Sequence, residues 1–147
     1  TIVSLSLYWV APFILISSRT EPPYPLIAAA IILNIVGVFL HYSSDAQKYY
    51  TLKYKSGLIT EGFFARCRNT NYLGEICIYL PFAILAMHWL PFAILGGFIA
   101  GIFIPNMLKK DRSLSRYPEF ESYQARSGLL FPKLFQNAIV TPSISAK

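Results

Sequence analysis

The residues with chemistry to offer lie together in Arg68-Asn69-Thr70-Asn71-Tyr72-Leu73-Gly74-Glu75, directly before a long apolar run. Arg68 carries a planar guanidinium suited to phosphate or carboxylate, the amides of Asn69 and Asn71 both donate and accept, and Tyr72 adds a phenol. Gly74 admits close approach of a ligand or of a neighbouring helix. Glu75 is expected about one residue inside the apolar run, where an unpaired carboxylate costs a few kcal/mol, so it requires a partner such as Arg68 or a ligand hydroxyl. A ligand role and a plain ion pair at a helix mouth are both open. Two basic segments, around Lys48 to Arg68 and Lys109 to Arg126, flank the apolar stretches, with Asp45, Glu61, Glu75 and Asp111 among them. They suit either an anionic ligand over a lipid-facing cavity or a solvated rim touching anionic lipids. The sequence offers no glycine-rich phosphate loop, no metal-ligand spacing and no Ser/His/Asp set, and Cys67 and Cys77 are expected as free thiols.

The elements that must position this cluster follow from hydropathy. A chain of 147 residues that is 54% hydrophobic and 14% charged, with mean hydropathy +0.46, is too apolar for a soluble domain of its size. The net charge of +6 would suit nucleic acid, but the charges flank apolar segments, which is the pattern of membrane topology instead. The expected fold is an all-α integral membrane protein of about four transmembrane helices, near 2–17, 25–42, 72–87 and 90–107. An interfacial polar segment covers 43–71 and a polar C-terminal segment 108–147. The stretch 72–107 is about twice one span and must turn back, with the turn expected at Met87-His88-Trp89-Leu90-Pro91, where His88 and Trp89 suit the interface. The hexapeptide Leu-Pro-Phe-Ala-Ile-Leu occurs twice, ten residues apart, an offset too short for a structural repeat. Ser43 or Ser44 is read as the cap of a new helix lying in the interface, with Tyr49, Tyr50, Leu52 and Tyr54 on one side and Lys48, Lys53 and Lys55 on the other. Asn34 is expected to bond to a neighbouring helix, and Gly96, Gly97 and Gly101 to permit close helix packing. With four spans, 12 of the 13 Lys and Arg residues fall on one face and Arg19 alone on the other. That asymmetry makes a multi-pass protein whose basic face is on the cytosol-like or matrix- or stroma-like side.

Further motifs carry a resemblance. Asp45-x-Gln47-Lys48, Gly57-Leu58-Ile59, the 68–75 cluster, and Arg116-Tyr117-Pro118-x-Phe120-x-x-Tyr123-x-x-Arg126 with Pro132 together resemble one membrane superfamily. It includes the C-terminal domain of steroid 5-alpha-reductases, sterol reductases, isoprenylcysteine carboxyl methyltransferases and a group described only as a domain of unknown function, to which this chain is most similar. The resemblance implies that Lys48, Arg68, Asn69, Asn71, Tyr72, Tyr123 and Arg126 hold a cofactor. That cofactor is NADPH in the reductases, with S-adenosylmethionine the alternative. It also implies that Tyr72 and Glu75 act at the reacting centre and that a lipid-like substrate enters from the bilayer. The expected function is NADPH-dependent reduction of a lipid or isoprenoid-like substrate. The alternatives are a non-catalytic accessory subunit of a larger membrane complex and an S-adenosylmethionine-dependent methyltransferase. Expected partners are membrane lipids, the substrate and other membrane subunits, with no nucleic acid.

Overall fold

A computed structural model describes residues 2–134, with side chains from Tyr8 onward, so the expectation for the last part of the polar C-terminal segment, 135–147, lies outside the described residues. The described chain is mostly helical and contains no strand. The helices are α1 (Ile2–Ser17), α2 (Tyr24–Tyr54), α3 (Thr70–Ala86), α4 (Trp89–Phe98), α5 (Ile104–Leu114) and α6 (Phe120–Arg126).

A tight turn at Arg19 (φ 46°) and the Pro22-Pro23 pair separate α1 from α2, because proline removes donors and fixes φ. α2 does not end near Tyr42 but runs on through Tyr54, 31 residues in all and about 46 Å long. The interface helix expected to start at Ser43 or Ser44 is therefore the outer half of α2. The physical reason is that the Ser44 hydroxyl donates back to the His41 carbonyl at 3.1 Å, a bond inside a continuing helix, and caps nothing. Gly57, at φ 140°, takes the chain away from the helix end in a conformation that a side chain would strain.

The turn between α3 and α4 falls at Met87, which adopts the left-handed conformation, and His88, whose Nδ1 accepts from the Leu90 amide at 3.1 Å. His88 thus caps α4. α4 and α5 form one continuous helical rod joined by a π turn at Ile99–Phe103. Pro105 accounts for that turn, since its ring and missing N–H disrupt the bond to the carbonyl four residues back and the helix widens there. The widened turn points both Phe98 and Phe103 inward, their rings 4.9 Å apart, into a core with Tyr79, Leu95 and Met107.

α2 and α3 make the most extensive helix pair, and glycine sets how close they come. A Cβ on Gly74 would lie 2.5 Å from the His41 amide nitrogen, and one on Gly37 would lie 2.7 Å from the Cys77 carbonyl carbon. Backbone meets backbone here, and the Asn34 amide, donating to the Ile78 carbonyl at 3.1 Å, ties the same crossing. Of the two uses open to Gly74, the structure shows the neighbouring helix. Gly96, Gly97 and Gly101 differ: each faces open space and no described helix packs on them. Gly74→Ala is expected to lower stability in detergent by about 1–3 kcal/mol through forced separation of the helices. Gly97→Ala should be neutral or stabilising by up to about 1 kcal/mol, because alanine favours helix where nothing is displaced. Thermal melts of the two variants check the contrast.

Candidate functional site

The inner side of α2 carries Gly37, His41, Asp45 and Lys48, spaced by four, four and three residues and so aligned on one helix face. The Gly37 and Gly74 contact brings that face against the first turns of α3. His41 Nδ1 lies 3.1 Å from the Asn71 backbone carbonyl, a contact that requires the proton on Nδ1 because a carbonyl only accepts. Its Nε2 lies 3.8 Å from Asp45 Oδ2. On α3, Tyr72 and Glu75 are three residues apart on one face, yet different neighbours hold them. The Tyr79 hydroxyl donates to Glu75 Oε1 at 3.3 Å, and the Tyr72 phenol lies near the Asn106 side chain. His41 and Asp45 are both within electrostatic range of the Glu75 carboxylate. Asn71 Oδ1 is buried and has no hydrogen-bond partner, so the cluster contains one acceptor that awaits a donor.

One turn before α3, the polar residues are fully engaged by the chain itself. Arg68 Nε lies 3.2 and 3.1 Å from the two Asp111 carboxylate oxygens, with a second guanidinium nitrogen 3.0 Å from Oδ2. Its remaining nitrogen donates to the Ser127 carbonyl at 2.6 Å and to the Ser127 hydroxyl at 3.2 Å. Asn69, wholly buried, donates to the Leu129 carbonyl at 2.9 Å and accepts from Lys110 Nζ at 3.0 Å. Lys110 also donates to the Arg68 carbonyl at 2.8 Å. Backbone bonds from Arg68 to Gly128 and from Gly128 to Arg66, each 2.9 Å, complete a strap in which residues 127–133 lie along 66–69. Gly128 is required, because any Cβ there would collide with the Phe131 carbonyl oxygen. Leu129 and Leu130 pack on the core from the strap.

Between the outer half of α2 and this clamp is a cleft of about 70 Å³, walled by Leu52, Leu58, Ile59 and Leu114, with Lys48, Arg68, Lys110 and Tyr123 at its polar parts. Lys48 and Lys110 are near enough to repel each other, an arrangement that an anion between them would relieve. The Gly57-Leu58-Ile59 wall is shared with a wider groove of about 600 Å³ that carries Thr51, Lys55, Ser122 and Arg126. Burial pushes the Tyr123 phenol up to about 12, so the hydroxyl keeps its proton and donates to the Phe64 carbonyl at 2.7 Å. Gln47 fixes the approach to α3 by accepting from the Phe63 amide at 2.9 Å and donating to the Glu61 carbonyl at 3.0 Å.

The residues expected at a cofactor therefore fall into four places. Lys48, Arg68 and Tyr123 border the cleft, although the polar atoms of Arg68 and Tyr123 turn inward, and Arg126 borders the groove. Asn71 and Tyr72 join Glu75 where α2 meets α3. Asn69 is inside the clamp. His41, Tyr79 and Asn106 belong to these sites without having been singled out in the sequence, and Lys110 joins them from the basic segment that starts at Lys109. Two of them carried a spacing signal: His41 precedes Asp45 by four residues and Tyr79 follows Glu75 by four.

What the fold and site define is a helical protein with, among the described residues, two helices long and apolar enough to cross a membrane, Tyr24–Tyr54 and Trp89–Leu114, and with ionisable side chains packed between helices. The chain belongs to the DUF1295 family, described as a protein of unknown function, which matches residues 2–127. It is 31% identical over 107 residues to an uncharacterized protein of Schizosaccharomyces pombe, an alignment covering 64% of this chain and 30% of that protein. The chain thus spans less than a third of the length of this curated relative. No solved structure matches.

Proposed function

We propose that this chain is a multi-pass membrane reductase-like protein that uses NADPH to reduce a lipid or isoprenoid-like substrate, with its basic face on the cytosol-like or matrix- or stroma-like side. The observation that carries the reading is the convergence of His41, Asp45, Asn71, Tyr72 and Glu75 where α2 meets α3, one to two turns along α2 from a cleft with two ammonium groups. Ionisable groups between membrane helices are expensive and mark reaction sites. Four crossings, by α1, α2, α3 and the α4–α5 rod, would place 12 of 13 basic residues on one side.

The residues present suit the cofactor's polar parts. Lys48 and Lys110 in the cleft and Arg126 in the groove suit phosphate oxygens, and the unpartnered Asn71 Oδ1 suits an amide N–H. When bound, NADPH would supply a hydride. Tyr72 would donate its hydroxyl hydrogen bond to the substrate oxygen, Asn106 would orient that phenol, and Glu75, held by Tyr79, would set the local charge. The apolar core face of α3 and the α4–α5 rod would exclude water.

Purified protein in detergent should bind NADPH saturably, and Lys48→Ala or Arg126→Ala should weaken binding about tenfold or more, the loss of one charge-assisted bond. A folded preparation that binds no NADPH sinks the reading. S-adenosylmethionine binding in its place would redirect the proposal to methyl transfer on the same scaffold. A second reading, a non-catalytic subunit of a membrane complex, draws on the saturation of Arg68 and Asn69 by the strap. A monomeric, active preparation would exclude it.

A further inference from the structure

α2 carries a second stripe, on the side away from α3. Ile32, Ile35, Phe39, Tyr42, Tyr49 and Lys53 recur at helix-face spacing, with Ala46 between Tyr42 and Tyr49. All are exposed: Ile32 63%, Ile35 62%, Phe39 59%, Tyr42 67% and Tyr49 63%, with Ala46 and Lys53 in the same class. Along about 31 Å of helix this surface changes from aliphatic to aromatic to basic. That order reproduces the profile of one lipid leaflet, acyl chain to interfacial belt to headgroup. Beside the basic end is an open hollow of about 520 Å³, lined by Asp45, Lys48, Tyr49, Leu52 and Lys53. It combines apolar and aromatic walls with two ammonium groups and one carboxylate.

We propose that this hollow is a headgroup site for an anionic phospholipid, with the lipid phosphate between Lys48 and Lys53 and its acyl chains along Phe39, Ile35 and Ile32. Charge complementarity and the ordered gradient together select the occupant. A second copy packed parallel on the same stripe would set Lys53 against Lys53. An antiparallel copy would set Lys53 against Ile32 at hydrocarbon depth, where a lysine is costly. A zwitterionic headgroup leaves the two lysines without net compensation. The site shares Lys48 with the cleft, so a bound lipid would neutralise part of the cleft's positive charge from outside.

Native mass spectrometry of the protein released from nanodiscs of mixed phosphatidylcholine and phosphatidylglycerol tests this. Phosphatidylglycerol should be enriched among retained lipids relative to the disc, and Lys53→Gln should reduce the enrichment about fivefold, the effect of one surface lysine. Lys53 is exposed, so this variant is expected to fold, and an unchanged melting profile verifies it. The proposal is overturned if retained lipid matches the bulk composition, or if Lys53→Gln retains as much phosphatidylglycerol as the wild type. It is equally overturned if an Ala46→Cys variant cross-links into dimers in the disc, since the stripe would then be a protein interface. None of these outcomes depends on NADPH binding.

Discussion

Replacing Arg68 by alanine is expected to remove about 3–5 kcal/mol of stability, because it leaves Asp111 as a buried, unpaired carboxylate. The same change strips the Ser127 carbonyl of its 2.6 Å donor. A typical domain has only about 5–15 kcal/mol in total, so the variant should melt far below the wild type or fail to accumulate. Arg68→Met with Asp111→Leu separates the explanations, since replacing both partners by apolar groups of similar size leaves no stranded charge and should recover most of the loss. The check is the thermal midpoint of the three proteins in one detergent. If Arg68→Ala melts within a degree or two of the wild type, the clamp is not what holds 124–133 against 66–69, and a ligand role for the guanidinium regains its place.

Glu75→Gln tests the other half of the site and should act on rate, not on stability. The amide keeps the shape and can still accept from Tyr79, but it loses the charge that faces His41 and Asp45. Under the proposed reductase function, the rate of NADPH oxidation with a lipid acceptor should fall by about 10²- to 10⁴-fold. NADPH affinity should change little, because the cleft and groove cations are elsewhere. A variant with full turnover, or one whose loss appears entirely as weaker NADPH binding, would remove Glu75 from the reacting centre.

The helical architecture was legible from run lengths alone. The 18 apolar residues from Pro25 to Tyr42 and the double-length stretch 72–107 had few other ways to satisfy backbone groups in an apolar setting. The extension of α2 was not legible, because Ser43-Ser44-Asp45 looks like a cap. Only its packing shows that Ser44 is buried and bonded inward. The polar cluster was found as a cluster, but the partners of its members were out of sight. Arg68 and Asp111 are 43 residues apart, and no local spacing encodes such a pair. Asn69 and Tyr123 likewise bond to carbonyls about 60 residues away, and backbone acceptors have no signature in side-chain types. Gly74 was readable as a close approach, while the identity of what approaches depended on Gly37 lying opposite.

The strap has a consequence for how the protein is made. Helices α1 to α4 need only local bonds and neighbouring helices, so they can form and pack as synthesis proceeds. The clamp on Arg68 and Asn69 waits for residues 124 to 133, which emerge seconds later at ordinary elongation rates. Until then the Arg66 carbonyl, Arg68 and Asn69 lack the partners that the strap brings. The contacts that gather His41, Asp45, Asn71 and Glu75 therefore precede the clamp, and a nascent chain halted near residue 120 would hold every long helix but lack the strap on Arg68 and Asn69.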